Sequence, residues 1–403
     1  MIRKKNQYNI SHDKLLVFIC VQLICMSGSL FYYINFPTIA ILLWLWSCYF
    51  YWSKHKTTDA VFKKNFYVWT YMAIWVCLCS YIVHSSPTDN EVFAVILIPL
   101  GSVFLNSSVS FDKFRSEIFY VSKWIFGISV IVHLCHSLGL LGGDYITFKN
   151  GSSYVMSLMI FHTEWGSIAT PIGDIYRYSS IFWEAGQCQI VIFFILLLFT
   201  DDLKEHIFYP KYILKKYTIL LVAMLLTGST TGYLVFMIYI CCLILFSTSA
   251  KKYKALYPVF VFLALSIGFV IYNSPIVQEK LAQSSDSAEN TSYAIRMMDN
   301  MACLQAALEN KTFGLGYNTP DLVNTLTKYG SSTSSNGFLR AAASLGIYFV
   351  LGICFLLWKG VGKMNLGLPS FVLAACLIFS QSNEYFIAFP YMFIYIFNFK
   401  KYV

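Results

Sequence analysis

Apolar runs of about the 20 residues needed to cross a bilayer follow one another along the chain, broken by short polar turns whose lysines and arginines favour alternate turns. That alternation constrains the fold more than any other feature. With 57% hydrophobic and 12% charged residues and a mean hydropathy of +0.60, the chain reads as polytopic and all-α. A soluble domain carries about a quarter charged residues. Spans are expected near 15–34, 36–52, 66–84, 91–110, 117–141, 180–200, 217–228, 231–248, 255–272, 337–358, 367–382 and 386–399.

Cations test this reading. Turns on the amino-terminal side hold 22 of the 29 Lys and Arg, leaving Lys149, Arg177, Lys280, Arg296, Lys311, Lys328 and Arg340 on the other. By the positive-inside rule both termini are cytoplasmic. The net charge of +9 is therefore a topology signal, not a nucleic-acid one. Residues 1–403 form one membrane domain with two sizeable external loops, 142–178 and 273–336. The tail Met1–Lys14 carries Arg3, Lys4 and Lys5 with no small-residue cleavage site, and reads as retained. Of twelve cysteines only Cys303 lies in the long loop, so they read as small buried hydrophobes.

The long loop is the main hydrophilic interruption, and irregular backbone there must stay out of lipid. Within it, Ser292–Asn310 reads as a helix, because Ala294, Met297, Met301, Leu304 and Leu308 repeat at helical spacing. Arg296, Asn300 and Cys303 lie on another face. A shorter helix fits Pro320–Tyr329, with Thr319 as N-cap and Gly330 closing it.

Candidate chemistry gathers on the external side. Arg177 enters span six, Arg296 sits on the loop helix and Arg340 lies one turn into span ten. Guanidinium matches phosphate oxygens in pairs, so three arginines there would form one anion pocket, the plain alternative being interfacial anchoring. Glu184, read as about one turn into span six, is a general-base candidate; a salt bridge to an arginine is the plain alternative. His162 is a weaker candidate, with His84, His133 and His136 near outer span ends and no third ligand in view for a metal. Gly314-Leu315-Gly316 lacks the flanking signals of a phosphate loop and reads as a helix cap and turn. Asp201-Asp202 reads as a solvated helix end.

Four stretches together resemble the bacterial O-antigen polymerase and ligase superfamily of membrane glycosyltransferases. Arg177 through Gly186 is similar to its Arg-x-x-(Gly/Ser)-x-Phe-x-Glu-Pro-Gly motif, with Ala185 in the proline position. Leu226-Thr227-Gly228-Ser229-Thr230-Thr231-Gly232 resembles its Leu-Thr-x-Ser-Arg-Thr-Gly elbow, with Thr230 where arginine is common. Arg296 through Gly316 resembles a loop-helix arginine followed by Phe-Gly-x-Gly. Ser335-Asn336-Gly337-Phe338-Leu339, running on to Leu345-Gly346-Ile347, resembles a His-Asn-x-(Tyr/Phe)-Leu stretch.

The resemblance implies an enzyme that needs no cofactor or metal and joins undecaprenyl-pyrophosphate-linked repeat units on the periplasmic face of the inner membrane. Arg177, Arg296 and Glu184 would be catalytic; Arg340, Asn336, Ser335, Gly316, Tyr317 and His162 would bind substrate. Ser335 stands where ligases carry histidine, which favours a polymerase over a ligase. A polysaccharide flippase is the alternative of another class. The implied partners are lipid-linked oligosaccharides, membrane lipid and a chain-length regulator protein, with no nucleic acid.

Overall fold

The computed structural model describes residues 12–29, 37–55, 59–83, 89–147, 153–170, 173–247, 292–317, 319–331, 336–381 and 389–400. Expectations on the amino-terminal tail, the Asn35-Phe36 turn, His84, Lys149, span nine, Lys280, the start of the long loop and Ser335 lie outside the described residues.

The described chain is mostly helical. Its elements run α1 (Lys14–Met26), α2 (Pro37–Lys54), α3 (Asp59–Cys77, continuing as a π-helix over Leu78–Val83), α4 (Asp89–Ser108) and α5 (Phe111–Ser137). Four strands follow: β1 (Asp144–Thr147), β2 (Ser153–Ser157), β3 (Ile160–Thr170) and β4 (Gly173–Ser180). The helices then resume with α6 (Ala185–Leu198), α7 (Thr200–His206), α8 (Pro210–Leu226), α9 (Thr230–Phe246), α10 (Ser292–Glu309), α11 (Pro320–Lys328), α12 (Gly337–Leu345), α13 (Ile347–Met364), α14 (Ser370–Ser380) and α15 (Pro390–Ile396). Among the described residues, α5 and α13 are long and apolar enough to cross a membrane, and α6 with α7 would make a third span bent by 72°.

Local chemistry sets the helix ends. Asp13, Ser110, Ser229 and Thr319 each accept a backbone N–H from the first turn of α1, α5, α9 and α11. Pro99 sits inside α4 and has no N–H for Val95 O; close by, the Trp69 indole donates to Ile96 O at 2.9 Å and the Trp44 indole to Ile98 O at 3.1 Å.

Two departures from the sequence expectations bear on function. First, the described residues between 144 and 180 are not a plain loop in an all-α protein but a four-stranded antiparallel sheet in the order β1-β2-β3-β4. Tyr, Ile, Val, Phe and Thr in short alternating runs suit a pleated surface half-covered by α5. Second, the expected span ten is broken. Gly346, at φ +89°, separates α12 from α13, and a Cβ there would lie 2.6 Å from the carbonyl carbon of Thr312. The Ile347 amide donates to Lys311 O at 2.9 Å and the Leu315 amide to Ala343 O at 2.8 Å. The Leu345 carbonyl at the break accepts the Trp75 indole N–H at 2.8 Å. The end of the loop helix is thereby bolted to the start of a membrane-length helix.

Polar contacts collect the helix ends into two groups. One holds Asp13 with Lys113 and Tyr51, His12 with Glu117, Arg115 with Asp201, and Asn65 with Asn398. These are ends that the lysine pattern assigns to the amino-terminal side. Asp201 and Asp202 belong to this group and are not a solvated end. Asp202 accepts from Tyr212, Lys216 and Tyr217, at 2.9, 3.0 and 2.6 Å. The other group gathers the ends of α1, α5 and α8 around the sheet and the start of α6.

Candidate functional site

The site grows from how β4 is fastened to α5. Tyr178 is fully buried, its hydroxyl bonded to Ser129 of α5, and Ser180 Oγ donates to Ser129 Oγ at 2.9 Å. Neighbouring strand residues point to opposite faces, so pinning Tyr178 onto α5 turns Arg177 the other way, towards the α8–α9 elbow. There Arg177 Nε donates to Thr227 O at 3.1 Å. Gly228 makes room for it. This glycine has φ +58°, and a Cβ would stand 3.3 Å from Arg177 Cγ and 3.4 Å from its Nε.

Glu184 is placed differently from the sequence expectation. Residues 173–180 are strand, so α6 starts late, and Glu184 is its N-cap, not a residue one turn inside. Its side chain makes no capping bond. Arg177 lies in the field of Glu184, Tyr233 and Arg296, yet among the described residues no salt bridge joins Arg177 to Glu184. Burial pushes the Arg177 guanidinium below the usual arginine range, Glu184 and Tyr233 raise it, and Arg296 lowers it further. It stays charged. Arg296 is exposed on α10.

The structure thus brings together three of the nine expected site residues: Arg177, Glu184 and Arg296. Two guanidinium groups and the carboxylate at the N-cap of α6 thus share one electrostatic neighbourhood. Thr227 and Tyr233 complete the setting. The Thr227 carbonyl anchors Arg177, and Tyr233, which directly follows the elbow glycine Gly232, contributes to its field. Thr227 stood inside the elbow motif without an assigned role, and Tyr233 was not singled out from sequence, its place directly after that motif being the available signal.

The remaining candidates are placed elsewhere or do other work. His162 is fully buried on the α5 side of the sheet, its Nδ1 at 2.9 Å from His133 Nδ1 and its ring stacked on His136 at 4.1 Å. It fastens β3 to α5 and does not present itself to a substrate. Burial first, then the neighbouring His136 and His133, push it down to about 3, so it is neutral at physiological pH. Gly316 and Tyr317 are buried, with the Tyr317 amide donating to Ser80 Oγ at 3.4 Å, so this turn packs the core. Asn336 is the N-cap of α12, and its Oδ1 accepts the Phe338 and Leu339 amides, both at 3.1 Å, which commits that oxygen to the helix. Arg340 is half-buried in the first turn of α12 and is not among the charges acting on Arg177.

Searches of curated proteins and of solved structures return no match. A family model does match, and it runs from the middle of α8 to the middle of α13, with the elbow, Arg296, Asn336 and Arg340 inside it; Arg177 and Glu184 lie before it, and Arg177 is joined to it by the Thr227 bond. The matched stretch, residues 217–356, fits the family described as O-antigen ligase and supports the O-antigen polymerase and ligase family for this chain.

Proposed function

We propose that the chain is a membrane glycosyltransferase that polymerises O-antigen or a related surface polysaccharide. The observation that carries this is the state of Arg177. Its guanidinium is half-buried, bonded among the described residues to one neutral carbonyl, and near Glu184 without pairing to it. A desolvated cation so poorly compensated is costly unless an anion completes it. A pyrophosphate would do so, bridging Arg177 and the exposed Arg296.

The donor is a growing glycan on undecaprenyl pyrophosphate, and the acceptor is one lipid-linked repeat unit. The acceptor hydroxyl attacks the anomeric carbon of the donor while Glu184 takes its proton. The bond from that carbon to the phosphate oxygen breaks, and the lipid pyrophosphate leaves with the electron pair, held by the two arginines. Donors aimed at a developing charge stabilise the transition state more than the ground state. The energy comes from the glycosyl-pyrophosphate bond.

The family covers both ligase-like and polymerase-like proteins. Ser335 in the position of the ligase histidine favours the polymerase. The reading also takes twelve spans, both termini in the cytoplasm and the arginines on the periplasmic side of the inner membrane. The lysine distribution supports that sidedness, as does the gathering of the lysine-rich helix ends into one group. Phosphatase fusions after Thr163 and Ser285 are then active, and those after Lys56 and Lys252 inactive. Deletion in the native host separates the activities. Loss of a polymerase leaves surface glycan with a single repeat unit and no ladder. Loss of a ligase leaves bare core while polymer accumulates on the lipid, and loss of a flippase removes even the single unit.

A further inference from the structure

The loop helix α10 is packed inside out for a protein in water. Its inner face is small: Ala302, Cys303, Ala306 and Ala307 are buried with Ala342 and Ala343 of α12 and Leu322 and Leu326 of α11. The sequence stripe that should seek a core faces outwards instead. Met297 is 49% exposed, Met301 61%, Leu304 46% and Leu308 50%. Burying alanines while leaving methionine and leucine outside forfeits most of the available hydrophobic gain if the medium is water. The same arrangement is the rule for helices in lipid, where small residues pack together and large ones face the acyl chains.

Continuity points to the same medium. The backbone bonds Lys311 O to Ile347 and Leu315 to Ala343 O fix the end of α10 against the start of α13. Helix α13 carries its own exposed stripe at helical spacing, formed by Tyr348, Leu351, Phe355 and Trp358, on a helix of membrane length and hydropathy. The stripe on α10 is edged by polar groups: Arg296 and Asn300 on one flank, Gln305 and Glu309 on the other. At 18 residues α10 is about 27 Å long, but Arg296, Asp299 and Glu309 bar it from crossing the hydrocarbon. An apolar stripe with charged flanks is the pattern of a helix lying in the interface plane.

We propose that α10 lies in the membrane interface, with the Met297–Leu308 stripe seated among the acyl chains and Arg296 at the depth of the lipid phosphates. The bilayer itself is the partner of this surface. The inference stands on packing alone and does not depend on the polymerase reading.

The test uses the full chain in nanodiscs of phosphatidylethanolamine and phosphatidylglycerol containing a phospholipid with a diazirine on its acyl chain. After illumination, adducts are mapped by mass spectrometry, and hydroxyl-radical oxidation of the methionines is followed in parallel. Acyl adducts are expected on the peptide spanning Met297 to Leu308 as well as on Tyr348 to Trp358. Oxidation of Met297 and Met301 should fall about tenfold below that of the unfolded chain, as seating in acyl chains requires. Two results overturn the proposal: adducts on α13 alone with Met301 oxidised as fast as in the unfolded chain, or protection of Met301 without acyl adducts, which would mean that protein covers the stripe. No turnover is needed, so failure here leaves the polymerase reading to its own experiment.

Discussion

Replacing Arg177 with lysine keeps the charge and should still cripple the protein, because the side chain has two tasks at once. Its Nε holds Thr227 O at 3.1 Å, and among the described residues its two terminal nitrogens make no hydrogen bond. In the proposed mechanism those nitrogens grip pyrophosphate. A lysine has a single nitrogen at its tip and must choose between the tasks. If it goes to the ligand, the buried Thr227 carbonyl is orphaned, and a lost bond from a charged donor costs about 1.5–3 kcal/mol of stability. If it stays with Thr227, a contact to the developing charge is lost, worth about 3 kcal/mol or a hundredfold in rate. Purified Arg177→Lys protein, given lipid-linked repeat units in detergent, should extend chains about a hundredfold more slowly or unfold at a visibly lower temperature. Chain growth within about threefold of the parent, with unchanged melting, would refute the double role, since neither loss could be that small.

Arg296→Lys separates the two effects: Arg296 is exposed, so transfer should fall by one to two orders of magnitude, roughly, with melting unchanged. Glu184→Gln should still retain radiolabelled lipid donor in a pull-down while transferring no sugar, because an amide keeps the shape but accepts no proton. Gly346→Ala should lower the yield of folded protein in fluorescence-detected gel filtration, since φ +89° and the Thr312 carbonyl both exclude a Cβ, at a cost of about 3 kcal/mol or more. His162 gives a pH dependence. Unfolded, it takes a proton near 6.5, and folded only near 3, so between those values the unfolded state binds more protons and stability rises with pH. The melting temperature should therefore drop as pH falls below about 6.5, and His162→Gln should flatten that drop.

Much of the helical frame was legible, because apolar runs and capping residues report on local physics. Thr319-Pro320 does start α11, and Ser292 does start α10. What could not be read was orientation. The Met297/Met301/Leu304/Leu308 stripe has the periodicity of a buried face, and periodicity does not say whether the apolar medium is protein or lipid. The sheet was hidden because hydropathy only showed that 142–178 is too polar to span; the aromatic and β-branched pairs Tyr154-Val155 and Ile160-Phe161 were the signal. Missing the sheet shifted Glu184 from the N-cap into the helix. Arg177 and Arg296 stood out as cations on the side that the lysine pattern leaves poor in them, and Glu184 as an ionisable group at a span entry. The Thr227 anchor that makes Arg177 a poorly compensated cation depends on a contact across fifty residues of chain, and no sequence pattern displays that.

The junction at Gly346 has a mechanical consequence. With Lys311 joined to Ile347, Leu315 to Ala343 and Trp75 reaching Leu345 O, α10 cannot swing away from α13 without breaking backbone bonds at a buried joint. The loop helix is then a fixed wall and not a lid. On the proposed function and the proposed seat of α10 in the interface, an amphiphile as long as a lipid-linked glycan would have to arrive and depart sideways, sliding along that wall within the plane of the bilayer.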